Sequence, residues 1–315
     1  MLTARVDRHA KTAPATPGPR GVGFGCDLTL PGALYTADLL DFVEITPEIL
    51  HHEDHAGGRK RLVPDRARFD AARRRCGDLP IAVHGVELSI GSAHGMHIPC
   101  LLMMDEFQRE WPFLWYSEHL HFQTIRDDNG TVMNTGVPLP LPATREAAEL
   151  VARRAALIQR RYGVPFLLEN PAHYLSDLPA DPEIGDEFGL MNRITALSGC
   201  GQLLDLHNLY CNATNFHFDP ATALNRINLD RVGEIHIAGG SWHDGFYMDA
   251  HNGRVPEPVW DLLEHTLSRA PWIQGVVFEV LEVYLDRLGP DAIAAELERA
   301  RAIWRHYRRS IEVAA

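Results

Sequence analysis

The chain has 315 residues, 45% of them hydrophobic and 23% charged, an ordinary balance for a globular protein with a full core. Its formal net charge of -12 argues against a general nucleic-acid or anionic-membrane binder, because those partners select for clustered Lys and Arg. Five cysteines, Cys26, Cys76, Cys100, Cys200 and Cys211, are scattered without a CxxC spacing, so neither a disulfide framework nor a thiolate zinc site is indicated and a reducing cytoplasm is expected.

Residues 1–20, MLTARVDRHAKTAPATPGPR, lack the apolar core of a signal peptide and are expected to form a disordered arm. From there on, short apolar or β-branched runs bounded by turn residues recur. They are GVGFG at 21–25, FVEIT at 42–46, IAVHGV at 81–86, LWYSEHL at 114–120, FLLEN at 166–170, QLLDLHN at 202–208, EIHIAG at 234–239 and GVVFEV at 275–280. Between several of them the spacing predicts amphipathic helices, for example over 145–163, 259–270 and 291–309. No run reaches the ~18 apolar residues of a membrane span. No repeat or low-complexity linker divides the chain, so 21–310 is expected as one domain, with 311–315 as a tail.

Strands alternating with helices imply an α/β protein with a parallel sheet, and eight such units match the single-domain (β/α)8 TIM barrel. An open doubly wound sheet has the same local pattern. However, no GxGxxG opens a helix after the first strand and no GxxxxGK[ST] occurs. What favours the barrel is that strand after strand closes with a potential ligand: His84, His119, Glu169, Asp205, His236 and Glu279. In a barrel these ends meet on one face.

Taken singly, each residue has a plainer reading. A His at a strand end is more often a satisfied hydrogen-bonding group, and an Asp or Glu can cap the next helix. The stretch DLHNLYCNATN at 205–215 would pass as a polar turn. Together, though, buried carboxylates and imidazoles without a cation would repel and pay heavy desolvation. Asp249 and His251 add a DxH pair after the seventh strand, and Asn208 adds a neutral oxygen. Nine donors exceed the four to six of one first-row ion, so two or three ions are implied. Imidazole and carboxylate donors suit iron, manganese or zinc, and the 2-His-1-carboxylate grouping leans toward iron.

The runs HGVELSIG, SEHL, LLENP, LLDLHNLYCNATN, EIHIAGG, DAH, VPEPVW and FEV resemble, in order and spacing, the multinuclear non-haem iron-dependent oxidative enzymes. That resemblance covers most of 21–300 and implies a TIM barrel holding two or three irons in mixed Fe(II)/Fe(III) states. It also implies dioxygen as co-substrate and a ribosomally made precursor peptide, commonly modified at cysteine, as in methanobactin and 3-thiaglutamate biosynthesis. The family's ligands carry over to His84, His119, Glu169, Asp205, Asn208, His236, Asp249, His251 and Glu279. A small partner protein that captures the precursor's leader is implied too, giving a heterodimer, with 176–189, SDLPADPEIGDEFG, as an acidic contact or an ordinary surface loop.

Three departures mark this chain. SEHL has Glu118 where SDHL is commoner, DLHN has His207 where members usually carry Asn, and FEV lacks a following Arg-Asp. His207, as an extra ligand or proton-transfer imidazole, is therefore a catalytic candidate, with Glu118 and Tyr210. For His94, His97 and His173 a structural role outweighs a catalytic one, as it does for Tyr210 taken alone. The HHEDH run at 51–55 is expected to be a hydrated loop. Rival readings are a xylose-isomerase-like or endonuclease-IV-like divalent-metal enzyme, or a metal-binding barrel without turnover.

Overall fold

The computed structural model describes residues 20–55 and 60–314, so the expected arm lies outside the described residues except for Arg20. Eight parallel strands close into a barrel: β1 (Gly21–Gly25), β2 (Phe42–Ile45), β3 (Ile81–Gly85), β4 (Tyr116–His119), β5 (Phe166–Glu169), β6 (Gly201–Asp205), β7 (Val232–Ala238) and β8 (Gly275–Glu279). Strand β1 pairs with both β2 and β8, which completes the ring.

Side chains alternate between the two faces of each strand, and this period of two builds the interior in layers. The floor is apolar, made by Phe42, Ala82, Trp115, Leu167, Leu203 and Val277. Phe42 and Trp115 meet edge to face at 5.1 Å. Glycines make the room: a Cβ on Gly23 or Gly275 would lie 2.5 Å from the Phe42 ring. Two residues further along the same strands, the same face carries Glu44, His84, Ser117, Glu169, Asp205 and Glu279. The polar layer thus sits at the C-terminal ends of the strands.

The outward faces, including Val43, Val83, Phe166, Leu204, Ile235 and Phe278, form the larger core against the helices. Seven longer helices are described: α1 (Arg66–Cys76), α2 (Ile98–Glu110), α3 (Arg145–Tyr162), α4 (Glu187–Ser198), α5 (Leu206–Phe216), α6 (Glu257–Leu267) and α7 (Pro290–Ala314). Helix α3 shows why they form. Thr144 caps its first turn by accepting from Ala147 N at 3.2 Å, Gly163 ends it in a left-handed conformation, and Ala148, Val151, Ala155 and Ile158 recur on one buried face. Each large apolar side chain so buried contributes about 1.5–3 kcal/mol.

Several local expectations change. The run 202–208 stops as a strand at Asp205, because Asp205 caps α5 and turns His207 and Asn208 into its first turn. HHEDH is no loop: His51–Asp54 pairs antiparallel with Arg61–Pro64. A second hairpin, His121–Arg126 with Val132–Pro140, stands outside the barrel ladder. In 176–189, Ala180 bridges to Ala143 and Asp186 caps α4. Residues 311–314 continue α7. No helix among the described residues is long and apolar enough to cross a membrane.

Candidate metal centre

Glu169, at the end of β5, is the meeting point of two strands' imidazoles. Its Oε2 lies 3.4 Å from His84 Nε2 and 3.1 Å from His119 Nε2. The other ring nitrogens fix the tautomers. The Ser117 hydroxyl donates to the Val83 carbonyl at 3.2 Å, so His84 Nδ1 is the donor to Ser117 Oγ at 3.0 Å. His119 Nδ1 faces the Gly85 carbonyl at 3.4 Å, which can only accept. Both Nε2 lone pairs therefore point at one carboxylate oxygen. Burial, then the neighbouring His119, holds His84 well below the usual imidazole range, and burial lowers His119 as well. Two imidazole lone pairs thus converge on one buried carboxyl oxygen, and that arrangement fits a cation.

The opposite wall is built by α5. Asp205 Oδ1 accepts from Asn208 N at 2.7 Å as the helix cap, while Oδ2 is buried without a partner. Asn170 clamps the turn by accepting from Asp205 N and donating to its carbonyl, both at 2.9 Å. Asn208 Nδ2 donates to Glu169 Oε1 at 3.1 Å, which leaves its own Oδ1 buried and unpartnered. His236 on β7 lies between two carboxylates, 3.1 Å from Glu44 through Nε2 and 3.1 Å from Glu279 through Nδ1. Asp249 Oδ1 lies 2.8 Å from both His207 Nδ1 and His251 Nε2. Tyr174 holds the loop by its hydroxyl, which accepts from Asp249 N at 2.9 Å. His251 takes a φ of 46°, so the DxH pair sits on a bent segment and not an extended one.

Charge within the cluster is divided. Burial, then the Asp205 carboxylate, raises Glu169 well above the usual carboxylate range, and burial with Asp249 and Glu279 pushes Asp205 up to about 7. Burial acts the same way on Glu279, yet His236 and His251 override it and hold that carboxyl low. His251 is raised to about 10 because Asp249 and Glu279 outweigh the burial that opposes its charge. A divalent cation would relieve the repulsion that forces protons onto Glu169 and Asp205. Trios such as His84–His119–Glu169 and Glu169–Asp205–His236 each offer donor atoms within 4.8 Å of one another.

All nine donors named from the sequence thus come together. Of the three catalytic candidates, His207 lies at the cluster's edge, fully buried. Tyr210 packs its ring on Tyr247 at 5.4 Å. Glu118 sits on the outward face of β4, where its Oε1 accepts from Tyr116 at 2.9 Å and Leu88 N at 3.3 Å, beside Glu48 and Cys100. Its carboxylate is on the side of the strand away from the cluster. His173 pairs with Glu187 at 2.9 Å and stacks on Phe216. His97 precedes α2, and His94 lines a surface cleft with Phe122 and Leu141. Sequence reading missed Glu44, hidden in FVEIT, and His121, whose ring nitrogens are both buried and unpartnered beside His119. Their signal was parity: Glu44 is two residues from Phe42, and His121 two from His119.

A closed parallel barrel with a buried His and carboxylate cluster at its strand ends defines a TIM-barrel protein equipped with potential metal ligands. Residues 21–305 match the model of the RiPP precursor modification enzyme MbnB/TglH/ChrH, and the chain belongs to that family, whose members modify ribosomally synthesised precursor peptides. A UPF0276 protein of Caulobacter vibrioides (strain NA1000 / CB15N) is 34% identical over 291 residues, 91% of this chain and 96% of that one. Another, from Rhizorhabdus wittichii, is 35% identical over 231 residues, 73% of this chain and 76% of that one. Among solved structures, a sugar phosphate isomerase/epimerase from Parabacteroides distasonis superposes with a TM-score of 0.48 at 12% identity, over 91% of this chain and 94% of that one.

Proposed function

We propose that this chain is a multinuclear non-haem iron oxidase that uses dioxygen to modify a residue, in our reading cysteine, of a ribosomally synthesised precursor peptide. The observation that carries the metal is the meeting of the two Nε2 lone pairs of His84 and His119 with Glu169 Oε2 at 3.4 and 3.1 Å. These three residues would hold one ion. Asp205, Asn208, His236, Asp249, His251 and Glu279 would complete a set for two or three. Bound there, iron would supply dioxygen activation and would acidify a substrate thiol.

The chain's own contribution is placement. Asn170 and Asn208 fix Asp205 and Glu169, and the apolar floor of Phe42, Trp115 and Leu203 keeps water from below. Holding the reactants together in this way makes the reaction effectively intramolecular. His207, anchored by Asp249, is the group set to hold and pass a proton at the edge of the cluster. Protein purified without oxygen is expected to carry two or three irons and to consume oxygen only when the precursor peptide is added. At most one metal ion per chain, or no peptide-dependent uptake, rejects this reading.

In the same reading a small partner protein captures the precursor's leader and docks beside 176–189, where Asp177, Asp181 and Glu183 supply acidic contacts. Turnover with and without the genetically adjacent protein tests this. Equal rates and equal peptide affinity would show that the barrel recognises its substrate unaided.

A further inference from the structure

We propose that Glu44 is a positioning residue that fixes the tautomer and ring angle of His236, an inference that rests on the metal reading above. Glu44 stands on β2 with its backbone in register with Gly25 and Ala82, directly above the Phe42 floor. It is 4% exposed and His236 is 0% exposed, so neither side chain has water as an alternative partner. Oε2 of Glu44 lies 3.1 Å from Nε2 of His236. The other ring nitrogen, Nδ1, is buried without a hydrogen-bond partner and lies 3.1 Å from Glu279 Oε2.

The two edges of this imidazole are therefore unlike. Only the Nε2 contact has hydrogen-bond geometry, so Glu44 accepts the Nε2–H, and Nδ1, 3.1 Å from Glu279 without such a bond, is the nitrogen left to present a lone pair to the cluster. Glu44 lies with His84 and His236 in one trio of possible donors, but its hydrogen bond to Nε2, on the edge of the ring opposite Glu279, makes it the support of a ligand in this proposal. Trp115 Nε1 donates to Glu234 Oε2 at 2.9 Å in the same interior, and Trp115 packs on Phe42 beneath Glu44. A carboxylate behind a metal-bound imidazole fixes its orientation and raises its basicity, and losing such a partner typically weakens metal binding about 10- to 100-fold.

The test compares Glu44→Gln with Glu44→Leu in the full chain, by anaerobic Fe(II) titration and by 15N NMR of labelled histidine in the metal-free protein. The Gln amide carbonyl can still accept from Nε2–H, whereas Leu has similar size and no acceptor. Gln is expected to keep the wild-type number of ions, and Leu to weaken the ion held by His236 about 10- to 100-fold. A slowly exchanging Nε2 proton, identified by its absence in His236→Asn, is expected in wild type and Gln and lost in Leu. Loss of one ion per chain in Gln would make Glu44 a ligand itself and overturn the proposal. Leu binding iron as wild type does, with the Nε2 proton still protected, would overturn it too. The NMR signal needs no metal, so a wild type that binds none but shows a Glu44-dependent proton would fail the function reading alone and still support the fixing of the ring.

Discussion

Asp205 divides its carboxylate between two neighbours, with Oδ1 capping α5 and Oδ2 buried toward the cluster. The plain reading of this residue as a cap holds for Oδ1, and Oδ2, without a hydrogen-bond partner, is the oxygen that the sharper reading as a donor would use. The division can be separated by substitution. Asp205→Asn keeps an oxygen for the cap, so it is expected to unfold within a few tenths of a kcal/mol of wild type. Asp205→Ala is expected to lose about 1 kcal/mol, the usual value of such a cap. Both are expected to bind less iron than wild type, by elemental analysis, because the second oxygen has lost its charge or gone. If either retained full iron and turnover, Asp205 would not be a ligand. At the cluster's edge, His207→Asn should leave iron content unchanged and lower turnover about 10²- to 10⁴-fold if the imidazole passes a proton. Unchanged turnover would leave His207 as packing beside Cys211 and Tyr247.

Strands and helices explain which donors were legible. A ligand closing an apolar run is conspicuous, so Glu169 in FLLEN and Glu279 in GVVFEV stood out. Glu44 in FVEIT did not, because one charge inside a strand looks like an exposed edge until the barrel closes around it. Glu118 misled in the opposite direction. It neighbours His119, but adjacent residues of a strand point to opposite faces. In the same way His207 and Asn208 read as the end of a strand and stand instead on the first turn of α5. The floor beneath the cluster offers a test of the layer scheme. Gly23→Ala drives a methyl to 2.5 Å from the Phe42 ring and is expected to cost about 1–3 kcal/mol in urea unfolding. Adding Phe42→Leu should recover part of that loss. Without recovery, the strain would lie elsewhere than at this contact.

For the whole molecule, the cluster's buried charges set how stability varies with pH. Asp205 is raised to about 7 from an ordinary 3.8, chiefly by burial and then by Asp249 and Glu279. Between those values the folded metal-free chain holds more protons than the unfolded one, so this group's contribution is lost as pH rises from about 4 to 7. His251 is raised to about 10 from 6.5, with burial opposing and Asp249 and Glu279 prevailing. Its contribution is complete below 6.5 and is lost as pH rises toward 10. Both act in one direction, while His84 and His119, lowered by burial, act in the other as pH falls below about 6.5; above that range the metal-free protein is expected to melt at a lower temperature at pH 9 than at pH 7. Metal binding displaces the same protons and strengthens with pH. Thermal melts with and without Fe(II) under nitrogen should show a gap in Tm that widens across that interval. A gap that stays constant would mean that these protons are not exchanged for metal.

By itself the sequence pointed to the barrel, to its eight strands and to six candidate donors, His84, His119, Glu169, Asp205, His236 and Glu279, that close the apolar runs. Each of these rests on local signals: short apolar runs, turn residues around them, and a polar side chain breaking the run at its end. The extent of the strands was also local, within a residue or two at most ends. What only the tertiary structure decided is which side of each strand faces which neighbour. Closing the sheet brought Glu44 on β2 against His236 on β7, far apart in the chain, and turned Glu118 outward beside Glu48 and Cys100. Ring tautomers were decided there as well, because the partner of each second nitrogen, Ser117 for His84 and the Gly85 carbonyl for His119, comes from a neighbouring strand. A periodic pattern states that a residue points inward or outward, and only the register of the closed sheet states what it meets.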